Sequence, residues 1–255
     1  MPYTSKSQLA RVMTESWMAS NGYCLACDSE RILPTLANTQ ARDFECRDCG
    51  HPYELKSASR PFGMKIVDGA YASMIRRIED GSVSTFLLLR YSPSSTVTDL
   101  VAIHHSLITR EVIQERKPLS PSARRAGWIG CNILLGGIPP EGRITIIENN
   151  ISVPRASSRA LFGATERLGK QPIGNRSWSR ALLNCLHQLP TPRFTLEQTY
   201  RFEGELSLQY PENKNVRPKI RQQLQVLRDA GLVIFEGRGT YRLIYGAKGT
   251  KDALL

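Results

Sequence analysis

Two Cys-x-x-Cys pairs, Cys24–Cys27 and Cys46–Cys49, stand eighteen residues apart in this 255-residue chain. A turn of that spacing lets two thiolates meet one tetrahedral ion, at about 2.3 Å per Zn–S bond. Two such turns fill the coordination shell, so the expected ion is structural Zn²⁺, with His51 as a second-choice ligand. Whatever else the chain does, residues 24–49 must close back on themselves. The chemistry needs reduced thiols. MPYTSKSQLARV lacks the apolar stretch of a secretory signal, and no apolar run reaches the roughly 20 residues of a membrane helix. The expected compartment is the cytoplasm. Cys131 and Cys185 have no partner at ligand spacing and are expected to be small core residues.

The second knuckle lies inside DFECRDCGHPYELKS, residues 43–57. Without its cysteines the stretch leaves Asp43, Glu54 and Lys56. On a strand, Glu54 and Lys56 point to one face. If the segments on either side of CRDCG are neighbouring strands, the zinc turn joins them and Asp43 lies across from Glu54. Adjacent carboxylates repel unless a divalent cation lies between them, and hard oxygens suit Mg²⁺. The Leu55 carbonyl is the expected third ligand, with Lys56 beside the metal-bound water. Such a set can hydrolyse a phosphodiester: the metal polarises the phosphoryl oxygen and acidifies a bound water, and the lysine offsets developing charge. The same residues on a strand also suit a solvated face. The zinc turn, the charge and a downstream reading module favour the chemical use.

Lys and Arg number 34 against 23 Asp and Glu, a formal net charge of +11. That excess favours a polyanion, because each cation placed on a phosphate releases condensed counterions. Helical spacing marks residues 7–20. Strands are expected at 51–59, 84–92, 96–105 and 142–149, and a helix at 67–81 closed by Gly81. Residues 152–176 show no strong apolar period and are expected to be a linker. Beyond it come three amphipathic helices, at 178–189, at 194–206 with Thr195 as N-cap, and at 216–231 closed by Gly231. A hairpin with a Gly-Arg-Gly turn follows at 232–245. Three helices and a hairpin make a winged helix.

In the third of these helices Ile220, Leu224 and Leu227 have core spacing. The other face carries Arg217, Arg221, Gln222, Gln225 and Arg228. Arginine grips guanine and glutamine grips adenine with paired hydrogen bonds, and the first turns of a recognition helix reach base edges. The DNA-reading candidates are therefore Lys214, Asn215, Arg217, Lys219, Arg221 and Gln222, with Arg238 at the wing tip for phosphate or minor groove. In the basic loop SPSARRAGWIGCN, Arg124 and Arg125 suit phosphate or guanine, and Trp128 offers a flat apolar surface for methyl groups.

Longer strings carry a closer likeness: ARVMTESW, ELKS, DGAYASM, RKPLSPSARRAGWIGCNI, and IRQQLQVLRD followed by GRGTYRL. In these the chain resembles the DpnI family of methyl-directed, type IIM restriction endonucleases, within the PD-(D/E)xK nuclease superfamily. Arg42 stands where the superfamily often has proline. The resemblance implies an α/β fold: a PD-(D/E)xK core, a mixed sheet flanked by helices, with a four-cysteine zinc site, plus a C-terminal winged-helix domain. It implies residues 1–176 as nuclease and 177–255 as DNA-binding domain. The implied activity is Mg²⁺-dependent cleavage of double-stranded DNA at G-A-T-C carrying N-methylated adenine, read by both domains. Asp43, Glu54 and Lys56 take the catalytic positions and the four cysteines the zinc positions. The implied setting is the bacterial cytoplasm, with a monomer favoured. The competing class is a zinc-ribbon and winged-helix regulator that binds DNA and cuts nothing. Residues 245–255 run past the likeness and are assigned no role.

Overall fold

The structure is a computed structural model and describes residues 5–36 and 41–244. The tail at 245–255 lies outside the described residues. The first part of the chain runs α1 (Lys6–Asn21), β1 (Leu33–Pro34), β2 (Phe44–Glu45), β3 (Pro52–Ala58), β4 (Lys65–Ala70) and α2 (Tyr71–Glu79). It continues β5 (Thr85–Tyr91), β6 (Val97–Ile103), β7 (Ile113–Glu115), β8 (Gly130–Leu134), β9 (Arg143–Glu148), β10 (Ile151–Ser152) and α3 (Arg155–Gly169). Seven strands form one mixed sheet in the order β1-β2-β3-β5-β6-β9-β10. Its β3–β5 pair is parallel and its other pairs are antiparallel. A smaller antiparallel sheet, β4-β8-β7, lies beside it.

The apolar run FLLL of β5 follows from burial on both faces. Phe86 and Leu88 enter one core with Met74 and Ile78 of α2. Leu87 and Leu89 enter a second core with Met18 of α1 and Phe162 of α3. β6 splits in the same way, with Val101 and Ile103 on one side and Leu100 and Ala102 on the other. The sheet is thus held between helices, as the nuclease-type reading expects.

Two expectations need correction. The helix expected from residue 67 starts at Tyr71, because residues 65–70 form β4 against β8. The register shifts between Asp68 and Ala70, so Gly69 sits at a bulge. The expected linker is largely α3 and is no loose connection. Its inner face carries Ser158, Phe162, Thr165 and Leu168. Ser158 donates to Thr145 O at 2.9 Å and Thr165 to Glu141 O at 2.9 Å. Hydrogen-bonded hydroxyls fill buried positions there, and that hides the apolar period from the sequence.

The second part runs α4 (Ile173–Leu186), β11 (Arg193–Thr195), α5 (Leu196–Tyr200), α6 (Glu203–Gln209), α7 (Val216–Asp229), β12 (Val233–Gly237) and β13 (Thr240–Leu243). It is a helix-turn-helix domain with a three-stranded wing sheet, β11-β13-β12. Thr195 is the expected N-cap, in a full capping box with Gln198. The single helix expected at 194–206 is two, because Phe202 leaves helical geometry at φ −87°, ψ 3°. The wing turn takes Gly237, Arg238 and Gly239 through positive φ of 93°, 48° and 72°. Such a run needs the flanking glycines.

α4 starts before the expected boundary at 176/177 and joins the two parts. Arg180, 4% exposed, donates to Thr109 Oγ1 at 3.0 Å and Gly137 O at 2.9 Å. Ser179 on the same helix donates to Gln223 of α7 at 2.7 Å. One apolar core runs from Leu107 and Val112 through Trp178 and Leu182 to Leu224.

Candidate active site and DNA-reading surfaces

The β2–β3 hairpin is the frame. Phe44 pairs with Tyr53 and Glu45 with Pro52, and the Cys46–Cys49 turn closes the loop, as the spacing predicts. The four cysteine sulfurs lie within 4.8 Å of one another. Cys24–Cys49 and Cys27–Cys46 are each 3.6 Å apart. Sulfurs about 2.3 Å from a shared centre stand about 3.8 Å apart in a tetrahedron, so the four residues fit Zn²⁺. Burial pushes the Cys24 and Cys49 thiols up. At Cys46 the backbone N–H groups of Cys49 and Asp48 outweigh burial and bring the thiol down to about 7. A cation removes the conflict of four crowded thiolates. His51 is not part of this set: its Nε2 meets Thr85 Oγ1 at 2.9 Å.

Alternation along β3 divides the labour. Tyr53 turns toward the knuckle, where its hydroxyl accepts from Leu25 N at 2.9 Å and meets Cys24 Sγ at 3.2 Å. Glu54 and Lys56 turn the other way. Lys56 Nζ lies 2.7 Å from Glu54 Oε1 and 2.7 Å from Asp68 Oδ1. Arg77 of α2 reaches the remaining oxygens, Glu54 Oε2 at 3.5 Å and Asp68 Oδ2 at 3.4 Å. Two cations bridge two carboxylates, and the side chains of Glu54 and Asp68 are 10% and 3% exposed. Burial pushes the Glu54 carboxyl up. At Asp68 burial works the same way, but Lys56 outweighs it and holds the carboxyl below the usual range. At Lys56 burial opposes the charge, and Glu54 with Asp68 outweighs it and raises the ammonium.

Asp43 is tied to both sides of Glu54. Its N–H donates to Tyr53 O at 2.9 Å and its Oδ2 accepts from Leu55 N at 2.7 Å. Burial holds its carboxyl above the usual range. Its side chain opens on a cleft of about 450 Å³ shared with Arg11, Glu15 and Arg42, whereas Glu54 lines a different one. The sequence reading sets Asp43 and Glu54 face to face; in the structure the Leu55 peptide lies between them. Asp68 and Arg77 escape that reading because 67–81 reads as one helix. A lone carboxylate in an otherwise apolar strand, KIVDGA, is the available signal.

The cleft holding Glu54, of about 310 Å³, is also lined by Asp68, Ser73, Arg77, Arg125 and Trp128. The basic loop is tied by its own backbone: Leu119 N to Trp128 O at 3.0 Å, Gly127 N to Leu119 O at 3.1 Å. Gly127 takes φ +76°. Arg125 lies over the Trp128 ring at 5.0 Å. Arg124 is exposed beside them. In the second part Lys214, Asn215, Arg217, Arg221, Gln222 and Arg238 are exposed, while Lys219 is half-buried. Lys219 donates to Asn175 Oδ1 at 2.8 Å and Gln222 Oε1 at 2.9 Å. Arg217 and Arg221 stack over Tyr200 at 5.0 and 5.7 Å, and Arg217 also pairs with Glu203 at 2.7 Å.

A second convergent group, His104, His105 and Glu166, has metal-like spacing. The Ser106 N–H donates to His104 Nδ1 at 3.2 Å. In the neutral ring the proton then sits on Nε2, the atom 3.3 Å from Glu166. An N–H rather than a lone pair faces the carboxylate, so this is a buried polar cluster. Among the described residues no helix is long and apolar enough to cross a membrane.

A mixed sheet with a buried carboxylate–lysine cluster, a four-cysteine turn and a helix-turn-helix domain together define a protein that works on DNA. Residues 1–171 match the DpnI, or Dam-replacing, family, and residues 174–243 match the Dam-replacing helix-turn-helix domain. The chain belongs to the Dam-replacing family, and that membership supports a methyl-dependent restriction enzyme.

Proposed function

We propose that the protein is a Mg²⁺-dependent, type IIM endonuclease that cuts double-stranded DNA at G-A-T-C when its adenine carries a methyl group. The observation carrying this reading is one cleft. Glu54, next to Lys56, and the loop residues Arg125 and Trp128 open on the same space. A scissile phosphate and a base read by the loop would sit within one another's reach. Asp43 and Glu54 would hold the metal with the Leu55 carbonyl; both carboxyls are held up by burial, a state a cation relieves. The ion, when bound, supplies charge to the phosphoryl oxygen and acidifies a water. Lys56 orients that water and offsets charge on the phosphate. Arg124 and Arg125 hold the backbone, and Trp128 takes the methyls. Lys214, Asn215, Arg217, Lys219, Arg221, Gln222 and Arg238 would bring the winged helix onto the duplex. The working division is cutting by residues 1–176 and second-stage reading by 177–255, with α4 as the seam.

A methyl removed from water contributes only about 0.8 kcal/mol, so two contribute about 1.6 kcal/mol, about fifteen-fold. Higher selectivity requires reading in series by two domains. A regulator that binds without cutting has no use for buried carboxylates beside its DNA-facing cleft, since each costs several kcal/mol unless paired. Lys56→Ala and Glu54→Gln test the reading: cleavage is lost in both, while binding to methylated G-A-T-C persists. Cleavage retained in both moves the active site elsewhere.

A further inference from the structure

We propose that Asp68 is a positioning residue of the cutting site: it anchors the Lys56 ammonium when Glu54 is taken up by the metal. The proposal rests on the nuclease reading above. Asp68 and Ile66 face inward from β4, Ile66 into the apolar core and Asp68 toward β3. A carboxylate there costs several kcal/mol unless partnered, and its partners are Lys56 Nζ at 2.7 Å and Arg77 Nη2 at 3.4 Å. Lys56 Nζ has equal contact, 2.7 Å, with Glu54 Oε1. A metal on Glu54 competes for that oxygen. Asp68 Oδ1 then keeps the ammonium in place, with the Phe86 ring 5.6 Å below it. Without such an anchor a lysine has about 2 kcal/mol of rotamer freedom to regain. The bulge between Asp68 and Ala70 aims the carboxylate. Arg77 bridges the second oxygen of each carboxylate, so the frame stays closed when Lys56 changes partners.

Asp68→Asn keeps the shape and removes the charge. Single-turnover cleavage falls by about 10- to 100-fold, the loss expected for a group displaced by about 1 Å, while affinity for methylated duplex without Mg²⁺ stays within about twofold. In the metal-free protein, mass spectrometry after amine acylation finds Lys56 labelled faster in Asp68→Asn than in the wild type. Asp68→Glu keeps the carboxylate, protects Lys56 and cuts within about tenfold of the wild type. Should Asp68→Asn fail to fold, Asp68→Glu decides alone, and an unprotected Lys56 there overturns the proposal. Wild-type cutting per folded molecule in Asp68→Asn, with Lys56 still protected, makes Asp68 a structural counter-ion and overturns it too. If the wild type itself does not cut, the nuclease reading fails, and the labelling comparison still tests the anchor.

Discussion

Gly130→Ala tests the methyl-reading role of Trp128 without touching the ring's chemistry. A Cβ on Gly130 would stand 2.8 Å from Cη2 and Cζ3 of Trp128. Carbon contacts relax at about 3.5–4.0 Å, so the ring edge must move by about 1 Å. Gly130 is not among the glycines with positive φ, so alanine adds no backbone strain. Trp128 is half-buried in a loop, and the shift should cost at most about 1 kcal/mol, or about 2–4 °C in melting temperature for a chain this size. Cutting of methylated sites should fall by about 10- to 100-fold, and preference over unmethylated sites should drop toward the about fifteen-fold factor that two methyls contribute. Trp128→Ala should do the same, with Arg125 released from the ring. The assay pairs single-turnover cleavage of methylated and unmethylated duplexes with thermal melting. A melting temperature lowered by about 10 °C or more, with cleavage lost only in proportion to unfolded protein, would make Trp128 a core residue. An unchanged preference in Gly130→Ala would place methyl reading elsewhere.

Purified protein should carry one zinc per chain, and Cys46→Ser should remove it and lower the melting temperature by about 10 °C, several kcal/mol at this size; metal analysis that finds no zinc in the wild type rejects the four-cysteine site. His104 and His105 are both pushed down to about 3 by burial, below their unfolded value of about 6.5. The unfolded chain therefore takes up protons first, and stability present above about pH 6.5 is lost as pH falls, on the order of 3 kcal/mol for the pair between pH 7.5 and 5.5. Asp43 and Glu54, with raised carboxyls, pull the other way, so that figure is an upper value; melting curves flat from pH 7.5 to 5.5 would contradict it. Arg221→Ala should weaken binding to methylated duplex by about 1–3 kcal/mol, roughly 5- to 150-fold. An unaltered affinity in a filter-binding titration would mean its contact with Tyr200 is purely structural.

The zinc turn is legible because its chemistry is written in spacing alone. The strands of the main sheet are legible because burial on both faces leaves apolar runs such as FLLL. The helix α3 is not, since Ser158 and Thr165 fill its inner face with satisfied hydroxyls. Asp68 and Arg77 are not, since the bulge at Gly69 turns an apparently helical stretch into a strand followed by a helix. The reach of Arg180 across α4 depends on a tertiary contact that no local period encodes. In each case what escapes the sequence is a polar group satisfied by a distant partner.

The most direct measurement is a single-turnover digest of a duplex containing one G-A-T-C, prepared with adenine methylated on both strands or on neither, with and without Mg²⁺. Cutting is expected only when both methyl groups and Mg²⁺ are present, and none by Lys56→Ala. Equal cutting of the unmethylated duplex would contradict methyl direction. Tight binding without cutting of any duplex would leave a DNA-binding regulator in place of a nuclease.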